Sequence, residues 1–291
     1  MSIWDLLAQR GQDLLHHVAR RLRFELPAEP APAAWHEILT RNVPLGRGLS
    51  GADSDTLLRV ARLLLDEVPF EGCAGLEVDD EIRVTIAATA AVLLYRLPYP
   101  RFTKLVRVLV YPDTFVPVKA PSQHDALIVE PDPALGQAWI DGIVVLSWED
   151  ILQNAANHPH KGNVILHEMA HILDAEDGRF DGTPLLDDSS QGAAWAHILK
   201  RDFDRQREAV DAGEDGPLRN YAATNHSEFF AVATEAFFCE PGRLHAQLPE
   251  LYEQMRRFFR QDPGSSFAGP EAPELSATAT RDTLESSINE E

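Results

Sequence analysis

Apolar residues recur along most of this chain at helical spacing. Residues 3–24 place Ile3, Trp4, Leu6, Leu7, Leu14, Leu15, Val18 and Leu22 on one side, the period of an amphipathic helix. Arg20, Arg21 and Arg23 make its last turn basic, which complements the negative end of a helix dipole. A Pro/Ala linker follows from Glu25. Trp35–Val43 is a short apolar segment, and Asp53–Glu67 is a clear helix with Leu57, Leu58, Val60, Ala61, Leu64 and Leu65 in register and Asp53 as its expected N-cap. Asp79–Leu97 opens on Asp79, Asp80 and Glu81 and is then almost entirely apolar, as befits a core helix. Three more helices are expected at Gln191–Ala212, Ser227–Glu240 and Leu251–Phe259, the last stopped by Asp262 and Pro263.

The pattern changes in the middle of the chain. Leu105–Tyr111, Ala126–Glu130 and Trp139–Trp148 are rich in β-branched residues and are separated by turn residues, which predicts three strands. Pro69–Leu76, with Gly72 and Gly75, reads as a turn. The expected class is α+β, mostly α-helical, with a small, largely antiparallel sheet beside the helix at Val164–Asp174. From Gly264 onward Ser, Thr, Pro and Glu replace the large apolar residues, and six acidic side chains face Arg281 alone. Residues 264–291 therefore read as a disordered acidic tail.

Polar chemistry interrupts the apolar pattern most sharply in Asn163–Asp174, NVILHEMAHILD. His167, Glu168 and His171 form H-E-x-x-H inside a run of Ile165, Leu166, Met169, Ala170, Ile172 and Leu173. Residues four apart share a helix face, so both imidazoles can reach one metal ion. Glu168, beside the first, can act on a metal-bound water. This is the zinc metallopeptidase pattern with Glu168 as general base. Buried without a partner, two imidazoles and a carboxylate would be costly. His158 and His160 sit in a Gly/Pro/Asn-rich loop and read as surface residues.

Composition narrows the class. The 291 residues are 44% hydrophobic and 25% charged, with a net charge of −20. That balance argues against a nucleic-acid surface and an anionic membrane. No run approaches the roughly 18 apolar residues of a membrane span, and the charged N-terminus lacks a signal-peptide core. Cys73 and Cys239 stand far apart with no C-x-x-C neighbour, which fits reduced thiols in a cytoplasmic protein.

A catalytic zinc needs a third protein ligand. The extended pattern H-E-x-x-H-x-x-G-x-x-H would place it at Asp177, but Asp174 stands where that design requires a Gly turn. The alternative is a Glu on the helix opening at Ser227. Glu228 and Glu235 lie two turns apart on one face, and periodicity leaves both open. Glu228 is favoured because the preceding loop can carry Tyr221 to the same place.

The chain resembles the Mlc titration factor A family of zinc-dependent peptidases, whose catalytic core is similar to that of anthrax lethal factor. The resemblance is carried by residues 70–93, VLVYPDTF at 108–115, GIVVLSWEDI at 142–151, GNVILHEMAHILD at 162–174, YAATNHSEFFAVATEAFF at 221–238 and LYEQMRRFFRQDP at 251–263. It implies a zincin-like, gluzincin-type metallopeptidase domain over residues 35–263; the N-terminal helix of residues 1–24 and the tail after Pro263 lie outside the resemblance. It implies Zn2+ held by His167, His171 and Glu228, with Glu168 as base and Tyr221 assisting at the transition state. One departure is visible. Similar enzymes carry a second Glu one turn after the ligand Glu to orient the first His, and here that position is Val232. Asp174 or Glu235 is left to accept the His167 N–H.

The expected substrate is a peptide or protein, attacked by a zinc-activated water. Gly142–Trp148 reads either as a buried structural strand or as one whose edge can receive an extended peptide. The family name also carries a second role, sequestering a transcriptional repressor.

Overall fold

The computed structural model describes residues 26–97, 102–113, 142–155, 162–187 and 189–266. The expected helix at 3–24, the expected strand at 126–130, the His158–His160 loop and residues from 267 onward lie outside them. In chain order the elements are α1 (Ala33–Asn42), α2 (Gly51–Glu67), β1 (Phe70–Gly72), α3 (Asp80–Val92), β2 (Arg107–Tyr111), β3 (Ile143–Ser147), α4 (Trp148–Ala155) and α5 (Val164–Asp174). There follow α6 (Ser189–Asp211), α7 (His226–Cys239), α8 (Pro241–Gln247), α9 (Pro249–Phe259) and α10 (Pro263–Ser266). Short 3-10 turns occupy Pro44–Gly46, Ala175–Asp177 and Asn220–Ala223.

The helices start where side chains can satisfy their first N–H groups. On α2 the cap is Ser50, which accepts the Asp53 N–H at 3.2 Å. Asp53, expected as the cap, sits in the first turn and pairs with Arg96 at 2.7 Å. Asp79 caps α3 by accepting the Ile82 N–H at 2.9 Å. That helix ends at Val92, short of the Leu97 expected. Trp148 begins α4 instead of ending a strand. Ser147 accepts the Asp150 N–H at 3.1 Å, an N-cap whose place the β-rich run preceding it disguised. Pro241 opens α8 at a position where its missing N–H costs nothing.

The sheet corrects the sequence reading. Its order is β1-β2-β3, and both pairings are parallel, with Phe70 opposite Val108 and Val108 opposite Val144. An antiparallel sheet follows only if consecutive strands are joined as hairpins. Here β1, taken for a turn because of its glycines, is a strand, and the connection from β1 to β2 contains the whole of α3. Parallel neighbours need such a crossover. The strands bury one face: Val108, Val110, Val144 and Leu146 are at most 1% exposed. Register places Val108 beside Val144 and Val110 beside Leu146, so the four form one apolar patch. Gly142 enters β3 at φ +73°, where a Cβ would lie 1.9 Å from the Lys104 carbonyl.

Two helices define the interior. Helix α5 packs against β3, α3, α4 and α7. Helix α7 packs against α5, α6, α8 and α9, and Ser227 through Glu235 are all buried. Trp195 of α6 joins this core to the loop after α5. Its ring meets Phe230 and Phe258 edge-on at 5.9 Å and 5.7 Å, and its Nε1–H donates to the Gly182 carbonyl at 3.0 Å.

Replacing Trp195 with Ala removes the aromatic filling and orphans that carbonyl. A loss of ~3–5 kcal/mol is expected, read by equilibrium urea denaturation of the full chain.

Candidate metal centre

The site is built where the N-terminal halves of α5 and α7 meet. Asn163 caps α5 by accepting the Leu166 N–H at 3.1 Å, and Asn154 of α4 accepts the Val164 N–H at 3.0 Å. Asn225 caps α7 by accepting the Glu228 N–H at 2.9 Å. Both helix starts are thereby fixed, and with them the side chains one turn in. His167 and His171 point their Nε2 atoms to within 3.2 Å of each other. Glu228 Oε2 lies 3.1 Å from the first and 3.4 Å from the second. His171 is fully buried, Glu228 is 1% exposed, and only the His167 side chain, at 12%, reaches solvent.

Among the described residues His167, His171 and Glu228 form one group whose ligand atoms lie close enough to hold a metal ion. Asp177 is elsewhere: it lies in the 3-10 turn beyond α5 and accepts the Arg179 N–H at 2.9 Å.

Each imidazole is also held from behind. His167 Nδ1 lies 2.8 Å from Glu235 Oε1. The Glu235 carboxylate accepts in addition from the Arg219 guanidinium and from the Asn163 N–H. Val232, where similar enzymes have a Glu, is buried and apolar; Glu235, one turn further on, takes the role. His171 Nδ1 lies 3.0 Å from Ser227 Oγ. Behind Ser227 is Asp174, fully buried. Neither of its oxygens has a full hydrogen bond. Burial pushes its pKa up to about 6, against the partial help of the nearby Ser227 hydroxyl and Gly182 N–H.

The surrounding field favours positive charge. Burial alone would lower the His167 pKa, but Glu228 and Glu235 outweigh it and raise it to about 10. Burial likewise disfavours the Glu228 carboxylate, and the two imidazoles reverse this and hold its pKa far below the usual range. Tyr221, in the turn before α7, donates to Glu228 Oε1 at 3.1 Å, and its ring lies 5.9 Å from that of His167. Burial and then the Glu228 charge raise its pKa. His167, Glu168, Tyr221 and Arg219 line a cleft of about 380 Å³ with Asp150 and Asn154 of α4 on its wall. Glu168 lies near enough to His167 and Tyr221 to act electrostatically on both.

The model of the glucose-regulated metallo-peptidase M90 family matches residues 17–260. The chain belongs to that family. An uncharacterized protein of Synechocystis sp. is 32% identical over 245 residues, 82% of this chain and 88% of the relative. The Mlc titration factor A proteins of Yersinia pestis and Yersinia pseudotuberculosis are each 33% identical over 236 residues, 79% of this chain and 85% of theirs. The resemblance read from the sequence stands on these matches.

The donor set of this M90 chain fits a metal ion. Glu228 Oε2 is a buried carboxylate oxygen with no proper hydrogen bond, although two imidazole nitrogens lie beside it. Three potential donor atoms thus converge on one point. Glu168, Glu228 and Glu235 also outnumber Arg219 around the imidazoles, leaving the cluster short of positive charge.

Three contributors were given no role from the sequence, although Gly162 opens the segment at 162–174. Arg219 grips Glu235. Gln206 of α6, fully buried, holds the loop bearing Arg219 and Tyr221: its Nε2 donates to the Leu218 and Arg219 carbonyls at 3.0 Å and 3.2 Å, and its Oε1 accepts the Leu218 N–H at 2.9 Å. Gly162, at φ +79°, leaves room for Glu235, since a Cβ there would lie 2.0 Å from Glu235 Oε2. Their only sequence signal is closeness to the motifs.

Gly162→Ala should displace Glu235 and weaken divalent-metal affinity by ~10-fold or more, with helical content kept. Competition with a chromophoric chelator, alongside circular dichroism, measures both.

Proposed function

We propose that this chain is a zinc-dependent peptidase, with a peptide or protein as substrate. The observation that carries the reading is the meeting of His167, His171 and Glu228 beside a cleft that His167 lines together with Glu168 and Tyr221. His167, His171 and Glu228 are its metal ligands. An imidazole–imidazole–carboxylate set of this kind suits zinc and leaves a coordination position open. When bound, the ion supplies Lewis acidity to a water and to the scissile carbonyl.

The chain's own residues do the rest. Glu168 takes a proton from the attacking water and returns it to the leaving amine. Tyr221 keeps its proton, because burial and the Glu228 charge oppose its loss. Its hydroxyl is therefore a donor for the oxyanion of the tetrahedral intermediate. Glu235 and Arg219 hold His167 in one orientation, and the cleft wall from α4 receives the substrate. Cys73 and Cys239 are both free thiols, which suits a cytoplasmic setting; no described helix is long and apolar enough to cross a membrane.

A second reading rests on the name of the Yersinia relatives, Mlc titration factor A. It makes this chain a protein-binding factor for a transcriptional regulator, with hydrolysis secondary or lacking.

Glu168→Gln separates the two. Hydrolysis of a peptide library, followed by mass spectrometry, should fall at least ~10²-fold, while zinc content and regulator binding persist. Hydrolysis that survives the substitution refutes the mechanism. Zinc content also tests the ligand set: Glu228→Ala should purify with little zinc and Asp177→Ala with the full complement.

A further inference from the structure

Helix α5 carries a buried carboxylate that the proposed reaction does not use. Asp174 is fully shielded, and both its oxygens lack a proper donor. Leaving a carboxylate in this condition opposes folding, so its presence calls for a compensating gain. Its polar neighbours are the Ser227 hydroxyl and the Gly182 N–H. Ser227 in turn lies 3.0 Å from His171 Nδ1.

A hydroxyl facing an imidazole is ambiguous, because it can donate or accept. If Ser227 donates to Nδ1, the ring proton moves to Nε2 and blocks the metal-binding nitrogen. If Ser227 accepts from Nδ1–H, Nε2 keeps its lone pair for the ion. A carboxylate accepts only. Asp174 is an acceptor beside that hydroxyl; when it accepts the Ser227 O–H, the hydroxyl oxygen is left to face His171 Nδ1–H.

We propose that Asp174, acting through the Ser227 hydroxyl, is the positioning residue that fixes the His171 tautomer for metal binding. The two histidines are thus held differently. His167 is held directly by Glu235, and His171 through a relay of one hydroxyl. This inference rests on the metal-centre reading above.

The test compares full-length wild type, Ser227→Ala, Ser227→Thr, Asp174→Asn and the Ser227→Ala/Asp174→Asn double variant. Each is stripped with chelator, and Zn2+ affinity is measured by chelator competition. Each metal-free form is also melted. Ser227→Ala and Asp174→Asn should each raise the Kd ~10-fold, and the Asn amide, which donates as well as accepts, no longer commits Ser227. The double variant should be no weaker than the worse single, because one relay is broken once. Ser227→Thr, which keeps the hydroxyl, should return the Kd to within about threefold of wild type. Metal-free Asp174→Asn should melt no lower than wild type, since a buried orphan charge is gone. An unchanged Kd in either single variant, or losses that multiply in the double, overturns the relay. If Ser227→Ala fails to fold, Asp174→Asn decides alone: a higher Kd without a lower melting temperature supports the relay, and a wild-type Kd overturns it. Wild type that binds no Zn2+, or His171→Ala that binds as tightly as wild type, overturns the metal-centre reading instead.

Discussion

The structure depends on a meeting of opposite charges between two helices that have almost no solvent of their own. Helices α5 and α7 are buried on nearly every side, yet between them they carry His167, His171, Glu228 and Glu235. Charged groups cannot remain in such surroundings unless each finds a partner. The partners come from the facing helix: Glu228 meets both imidazoles, Glu235 meets His167, and Ser227 meets His171. The crossing of α5 and α7 is thus set as much by this pairing as by the apolar residues packed around it. Asn163 and Asn225 at the two N-caps, and Asn154 behind the first, keep the pairing in register.

Much of this was legible in the sequence because its signals are local. The 3.6-residue period marked α2, α3, α5, α6, α7 and α9, and H-E-x-x-H on an apolar helix pointed to its own chemistry. Glu228 was harder. Spacing alone could not separate it from Glu235, since both lie on one face of α7, and resemblance made the choice. In the structure the two do different jobs on the same imidazole, one facing each ring nitrogen. Arg219, Gln206 and Ser227 contribute through contacts across 12 to 56 residues, and Gly162 through the room a missing side chain leaves; no single-sequence periodicity records either. The sheet was misread for a related reason. Strand direction is decided by what fills the connection, and α3 fills the one between β1 and β2. A strand of three residues bounded by glycines is also too short to show an alternation.

Support for the site passes backwards through the chain. Tyr221 and Arg219 stand on a loop that has little regular structure beyond a single 3-10 turn. Gln206 holds that loop with its side-chain amide, donating to the Leu218 and Arg219 carbonyls and accepting the Leu218 N–H. Trp195, on the same helix as Gln206, fixes the loop that follows α5. Helix α6 therefore acts as the brace for both sides of the site, though none of its residues faces the cleft.

The uneven exposure of the three donors has a kinetic meaning. His171 and Glu228 are closed off, and His167 opens on the cleft beside Tyr221. Among the described residues an ion held by all three has one door, guarded by the imidazole that Glu235 and Arg219 clamp. If the proposed ligand set holds an ion, its way out would pass the imidazole that Glu235 clamps, and the same contacts would then set both how tightly the metal is gripped and how slowly it exchanges.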